Sequence, residues 1–134
     1  MRGTVETMQY DEMVEAVAGA ARVDREQAAT ALAATLEVLG QRIGKGERED
    51  LASELPEELK RIVVQGDHKG ESMSLHEFLA RVAELEGSTP EEARRHASAV
   101  FRTLSRAVSD GEMKDVFAQL PRDYRSLLVP PPAS

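Results

Sequence analysis

The chain has 134 residues, of which 41% are hydrophobic and 31% are charged, and its formal net charge is −7. These values are typical of one soluble domain or two very small ones. The absence of cysteine excludes disulfides, thiolate catalysis and cysteine-ligated metals, and the acidic excess disfavours non-specific binding to nucleic acid. No apolar run approaches the roughly 18 residues of a membrane helix, so we expect no membrane association and a cytoplasmic location.

An internal repeat organises the sequence. Residues 10–64 align without a gap on residues 75–129, at a constant offset of 65 residues, so that Leu55-Pro56 falls on Leu120-Pro121. An unbroken offset through helix starts and turns indicates a duplicated unit. Because a unit of this size buries little surface by itself, we expect the two copies to pack into one compact helical bundle.

A short amphipathic helix opens each copy. Apolar residues recur at spacings of three and four, as Met13, Val14, Val17, Ala18 and Ala21 in the first copy and as Phe78, Leu79, Val82, Ala83 and Leu85 in the second. Ser74 and Glu77 predict a capping box at the second of these helices. Gln9 holds the matching cap position in the first copy. Glutamine is a weaker cap than serine, so this helix is expected to fray or to start a residue or two earlier.

A longer helix follows in each copy. Asp24 and Thr89 are the predicted N-caps, and Pro90 is the predicted first helical residue in the second copy. One apolar stripe runs along each long helix, formed by Ala28, Leu32, Thr35, Leu36, Leu39 and Ile43 and by Ala93, Ala97, Val100, Phe101, Leu104 and Val108. The alanines predict close packing between helices.

Two short helices complete each copy. They follow the turns Gly44-Lys45-Gly46 and Ser109-Asp110-Gly111, where glycine is expected to supply backbone freedom. The first short helix is predicted to end at Leu55 or Leu120, and the proline after it is predicted to open the last helix. The apolar faces of the last helices are Leu59, Ile62 and Val63, and Tyr124, Leu127 and Leu128. No strand pattern is present, so the predicted fold is all-α, with two tandem four-helix units.

The predicted organisation has five segments. They are a mobile N-terminal segment (1–8), a first helical repeat (9–64), a linker (65–73), a second helical repeat (74–129) and a proline-rich tail (130–134).

The order of these signals resembles a known bacterial family, the uncharacterised domain of unknown function family 2267. The resemblance is carried by Tyr10 to Val17, Ala28 to Leu39, Gly46-Glu47, Leu51 to Pro56, Glu77-Phe78, Ala93 to Leu104, Gly111-Glu112 and Val116 to Pro121. It covers nearly all of the chain between the terminal segments, and its motifs are structural. It implies a small soluble helical protein without an established activity, and it supplies no catalytic residues to transfer.

No pattern of reactive side chains indicates catalysis or a metal site. His68, His76 and His96 include no pair at the i, i+4 spacing of a helical zinc site. Glu57-Glu58, Glu91-Glu92 and Glu49-Asp50 are acidic pairs near helix starts, where the helix dipole favours the charged carboxylate. The serines show no nucleophile-elbow motif. We therefore predict no catalytic, cofactor-binding or metal-binding residues.

Anion and DNA binding are also disfavoured. Gly44-Lys45-Gly46 at a helix start could hold an anion on free amide groups, but Glu47, Glu49 and Asp50 follow at once and would repel a phosphate. If the second and third helices of either copy formed a helix-turn-helix, the recognition helix would begin at Glu47-Arg48-Glu49-Asp50 or at Glu112-Met113-Lys114-Asp115, and its acids would face the DNA backbone. We therefore predict no nucleic-acid partner.

One basic surface stands out on the long helix of the second copy. Arg95, Arg102 and Arg106 occur at i, i+7 and i+11 and share one helix face, and Arg94 lies beside them. The matching residues of the first copy are Thr30, Glu37 and Gln41, so the shared fold does not require this arginine face (Arg94, Arg95, Arg102 and Arg106). The face is either solvated or a binding surface for an acidic partner. That partner could be the first copy of a second molecule, which is the more acidic copy: residues 9–64 carry 7 basic and 12 acidic side chains, whereas residues 74–129 carry 8 and 9.

These observations favour a non-enzymatic protein without a cofactor, namely a protein-interaction or adaptor module that uses the arginine face. The alternative is a small-molecule carrier or sensor with an apolar pocket between the two copies. The adaptor hypothesis predicts that neutralising the arginines weakens a specific complex, and the carrier hypothesis predicts stabilisation by a ligand. Whether apolar residues join two chains depends on where Phe117, Tyr124 and Val129 point.

Overall fold

The computed structural model of the protein describes residues 8–66 and 70–130. Within these ranges the protein is all-α and has no strand, as predicted. The elements in chain order are α1 (Tyr10–Ala21), α2 (Arg25–Arg42), α3 (Lys45–Ala52), α4 (Glu57–Val64), α5 (Leu75–Glu86), α6 (Pro90–Ala107), α7 (Asp110–Ala118) and a 3-10 helix, η1 (Arg122–Leu128). None of the described helices is both long enough and apolar enough to cross a bilayer.

Parts of three predicted segments lie outside the described residues. These are residues 1–7 of the N-terminal segment, residues 67–69 of the linker, which include His68, and residues 131–134 of the tail. Met8, which was assigned to the N-terminal segment, is partly buried against the core.

The predicted N-caps start the helices at the expected residues. The Asp24 carboxylate accepts a hydrogen bond from the backbone N–H of Gln27 at 2.8 Å, and the Thr89 hydroxyl accepts one from Glu92 at 3.1 Å. These bonds satisfy amide groups that the helix itself leaves without partners. The expected shift at the weaker cap of α1 does not occur, since α1 begins directly after Gln9.

The two long helices form the centre of the molecule. α2 and α6 pack against each other, and both α1 and α5 pack against the two of them. α4 covers α2, and η1 covers α6. Every residue of the two predicted stripes on the long helices is buried. We call residues 8–66 the first half and residues 70–130 the second half. The apolar core of each half is therefore covered in part by a helix of the other half.

The larger aromatic side chains lie together in the second half. The ring centroid of Phe78 is 6.0 Å from that of Phe101 and 5.3 Å from that of Tyr124, and Phe101 is 5.8 Å from Phe117. Phe117 and Tyr124 thus belong to the core of a single chain, whereas Val129 is 65% exposed.

The last turns of the short helices differ from the prediction. α3 ends at Ala52 and α7 at Ala118, before the predicted Leu55 and Leu120. The backbone N–H groups of both leucines bond to the carbonyl three residues earlier, in a tighter turn. The following prolines are N-caps and not first helical residues, and the last element of the chain is a 3-10 helix.

Two further expectations are wrong. Gly44 has φ −71° and ψ 164°, an extended conformation open to any residue, so the turn does not need glycine for backbone freedom. Left-handed backbone occurs instead at Arg22 and Gly87, which end α1 and α5. Leu85 was assigned to the apolar face of α5 but is 46% exposed, because it lies at the edge of that face.

α3 and α7 pack against each other and cap each other. Gly44 is the N-cap of α3, and Gln119 directly follows α7. The backbone N–H of Gly44 donates to the Gln119 side chain at 2.9 Å. Conversely, Ser109 is the N-cap of α7, and Glu54 lies just beyond the end of α3. The backbone N–H and the hydroxyl of Ser109 donate to the Glu54 carboxylate at 2.7 and 3.0 Å. Because the start of each helix lies beside the end of the other, the two helices run antiparallel.

Candidate functional site

A polar cleft opens between the α1–α2 and α5–α6 connections, and its volume is about 520 Å³. Both halves line it, with Arg22, Glu26 and Gln27 from the first and Glu92, Arg95 and His96 from the second. The carrier hypothesis expected an apolar pocket between the copies. This cleft does lie between the halves, but its lining is mostly polar and carries charges of both signs.

A buried, hydrogen-bonded pair of Glu86 and His96 forms part of the cleft wall. The Nδ1 atom of His96 lies 2.9 and 3.0 Å from the two carboxylate oxygens of Glu86, and the side chains are 10% and 4% exposed, respectively. The Ser88 hydroxyl donates to the same carboxylate at 2.8 Å. Because Nδ1 donates to Glu86, the ring is held in one orientation, and Nε2 has no hydrogen-bond partner in the described part of the chain. A buried pair of polar side chains is costly to desolvate, so its position in a cleft marks a candidate binding group.

The sequence analysis considered His96 only as a metal ligand and assigned Glu86 no role. The residues 65 positions earlier are Ala31 and Ala21, both buried. An acid and a base therefore replace two alanines at matched positions on two apolar helix faces. Comparing the copies position by position would have found this signal.

The arginine face lies along the outside of α6. Arg94, Arg95 and Arg106 are exposed, and Arg102 is half-buried. Arg94 donates to the Ser126 hydroxyl at 3.0 Å, and Arg102 donates to the Ser98 hydroxyl at 3.3 Å, so both lie beside η1. Arg95 lines the polar cleft. The predicted face therefore extends from the cleft at the start of α6 along η1.

A third feature lies where α3 meets α7. Glu47 and Asp50 of α3 and Glu112 of α7 each place a carboxylate oxygen within 4.8 Å of the other two. Glu112 is only 7% exposed. In the sequence, Glu47, Asp50 and Glu112 were interpreted only as acids that would repel phosphate, and their proximity was not predicted. Glu47 and Glu112 are matching residues of the two Gly-Glu turns, and the pairing of α3 with α7 brings them together.

The carboxyl group of Glu112 has a strongly altered acidity. Burial is the main cause, and the Glu47 carboxyl group beside it, together with Asp50 and Glu54, adds to the effect; together they raise the pKa of Glu112 to about 8. Every charged group that acts on it from α3 and the following turn is acidic. The arrangement therefore favours a bound proton, or another positive charge, between the two glutamates.

A comparison with protein-family models matches residues 10–127 to the family described as "Uncharacterized conserved protein (DUF2267)". No curated protein matches the chain. Because the family match covers most of the chain, the protein belongs to this family, as the resemblance of its motifs implied.

Proposed function

We propose that this DUF2267 protein is a non-catalytic protein-interaction module of the bacterial cytoplasm, and that its arginine face binds an acidic surface of a partner protein. The observation that carries the proposal concerns ion pairs. In the described part of the chain, none of the four arginines pairs with a carboxylate, although the chain has 24 acidic and only 17 basic residues.

Other arginines of this protein do find carboxylates. Arg25 lies 2.9 Å from Glu15, and Arg81 is paired with Glu71. Arg94 and Arg102, in contrast, bond to neutral hydroxyl groups, which orient a guanidinium group without neutralising it. A strip of oriented positive charge on an acidic molecule is complementary to a surface of carboxylates, which arginine binds in bidentate geometry.

The test begins with native mass spectrometry of the protein isolated gently from its own cells, which identifies the partner and its stoichiometry. The purified partner is then titrated with the wild type and with the double variant Arg95→Gln/Arg106→Gln. We expect several-fold weaker binding, since an exposed ion pair contributes about 0.2–1 kcal/mol. We also expect a smaller dependence of the affinity on salt.

The matched control is Arg61→Gln/Arg122→Gln, which removes two exposed arginines outside the arginine face. This control should bind like the wild type. An equal loss of affinity in both variants would show a general effect of net charge and would contradict the proposal. A monomer without any partner at all concentrations in native mass spectrometry would contradict it as well. If the retained partner is a second copy of the chain, the acidic surface is that of its first half.

A second candidate function is binding of a small polar molecule in the cleft. It is favoured by the buried Glu86–His96 pair, which the first half replaces by two alanines. The lining carries two positive side chains, Arg22 and Arg95, and two negative ones, Glu26 and Glu92. It therefore suits a zwitterion, whose carboxylate the arginines can bind and whose ammonium group the glutamates can bind. Such a ligand would make the protein a carrier or sensor.

The test for this second candidate is thermal unfolding in the presence of zwitterionic metabolites. A ligand at 100 times its Kd stabilises the folded state by about 2.7 kcal/mol. The variant Glu86→Ala/His96→Ala copies the residues that the first half already uses, so it should fold and lose this stabilisation. Stabilisation that persists in the variant would exclude the pair from the site.

We also infer that the chain is a tandem duplication of a four-helix unit, with repeats at 9–64 and 74–129. The helix bounds support this inference, because corresponding helices begin 65 residues apart in all four pairs. The reciprocal caps support it as well. Gly44 and Ser109 are matching residues, and so are their acceptors Glu54 and Gln119, so one contact occurs twice across an approximate two-fold axis.

A further inference from the structure

The meeting point of α3 and α7 contains buried oxygen atoms that the protein itself does not satisfy. One carboxylate oxygen of Glu47 and one of Glu112, Oε2 in each case, are shielded from solvent and have no hydrogen-bond partner in the described chain. A buried acceptor without a donor destabilises the folded state, and more so when it is charged. Either a proton shared by the two carboxyl groups or a bound cation must therefore balance these oxygens.

We propose that Glu47, Asp50 and Glu112 form a binding site for one hard divalent cation on the approximate two-fold axis between α3 and α7. Three carboxylate oxygens from two helices converge there, and Asp50 is exposed, which leaves a path to solvent. Oxygen ligands select calcium, magnesium or manganese over softer metals. Water would complete the coordination.

The spacing of the oxygens bears on which ion the site can hold. They lie within 4.8 Å of one another. Calcium binds oxygen at about 2.3–2.6 Å, so ligands on opposite sides of it are about 4.6–5.2 Å apart. Magnesium binds at about 2.0–2.1 Å and requires a spacing of at most about 4.2 Å. Because the three oxygens are at most 4.8 Å apart, the site admits either ion, and we expect calcium to bind more tightly because magnesium gives up its water ligands reluctantly.

The surroundings explain why these three residues, and not the neighbouring Glu54, supply the ligands. The Glu54 carboxylate is occupied by the two hydrogen bonds from Ser109, at 2.7 and 3.0 Å. It contributes negative charge to the site while Ser109 holds both of its oxygens in a hydrogen-bonded position. Because Glu47 and Glu112 are matching residues of the two Gly-Glu turns, the proposal also gives this repeated motif a role.

The experiment is isothermal titration calorimetry of the full metal-depleted chain with calcium chloride and with magnesium chloride. It is run at about pH 8, since ligand carboxyl groups must lose their protons to bind a metal. We expect saturable binding of one ion per chain, tighter for calcium, and a higher midpoint of thermal unfolding when calcium is present.

Two variants and one control make the test specific. Glu112→Gln should abolish saturable binding. Asp50→Asn changes an exposed side chain, so the variant should fold. It should bind calcium at least about ten-fold more weakly, because a loss of this size is typical even when only a residue that supports a metal ligand is changed. Asp115→Asn, at the exposed matching position on α7, should bind like the wild type.

Two results would overturn the proposal. One is the absence of saturable heat and of thermal stabilisation with both salts in the wild type. The other is unchanged calcium binding in Asp50→Asn, because general attraction to an acidic surface does not depend on that residue. Either result would leave a shared proton as the group that balances Glu47 and Glu112.

Discussion

At the scale of single residues, Tyr124 connects the aromatic core to the segment that joins the two halves. Its ring is fully buried against Phe78, and its hydroxyl donates to the backbone carbonyl of Met73 at 2.8 Å. The same carbonyl accepts a longer bond from Arg42 at 3.3 Å. The end of the predicted linker is thus tied to both halves. Burial raises the pKa of Tyr124 to about 12, because a phenolate there would lose its hydration.

We predict that Tyr124→Phe lowers the free energy of unfolding by about 1 kcal/mol at neutral pH, the typical contribution of one hydrogen bond. A raised pKa in the folded state favours the protonated form. The stability that Tyr124 provides is therefore complete below about pH 10, the pKa of an unfolded tyrosine, and is lost as the pH rises toward 12. Urea unfolding at neutral and alkaline pH should show a smaller alkaline loss in the variant.

The matched control for that prediction is Tyr10→Phe, which removes a half-buried phenol without a hydrogen bond in the described chain. If Tyr124→Phe lost as much stability at alkaline pH as the wild type, the loss would come from other groups and the prediction would be wrong.

At the scale of elements, α3 and α7 are too short to be stable alone, because a helix of eight or nine residues has only about two turns. Their stability must come from tertiary contacts and caps. Glycine at the N-cap of α3 has no side chain to bond the amides of the first turn, and its own backbone N–H is bonded by the Gln119 side chain from the end of α7. The sequence analysis identified both turns, but it did not predict that each helix is capped from the other half.

We predict that Gln119→Ala destabilises the protein by about 0.5–1 kcal/mol through the loss of this cap. Chemical denaturation measures the loss, and faster amide hydrogen exchange at Gly44 locates it. Gln65→Ala is the control, since Gln65 is exposed and makes no hydrogen bond in the described chain. Equal effects of the two variants would mean that the contact to Gly44 contributes nothing measurable.

At the scale of the whole molecule, the halves interlock. α1 and α5 each contact both central helices, so the apolar face of each half is covered partly by the other. This arrangement agrees with the expectation that a unit of about 55 residues buries too little surface to be stable alone. It also places matching residues of the two halves opposite each other, as Glu47 and Glu112 show. The hydrogen-bonded pair of Glu86 and His96 shows where the halves differ.

By itself, the sequence determined the starts of the two long helices and of α5, the buried stripes of the long helices and the family. These features are local, since a cap acts over three residues and an apolar stripe over a few turns. Only the tertiary structure decided that His96 faces Glu86, that Glu47 faces Glu112, and that Gln119 and Glu54 cap helices of the opposite half. These contacts join residues that are 10 to 75 positions apart. Their distances depend on how the helices pack, and helical periodicity predicts which face of a helix is buried but not which helix covers it.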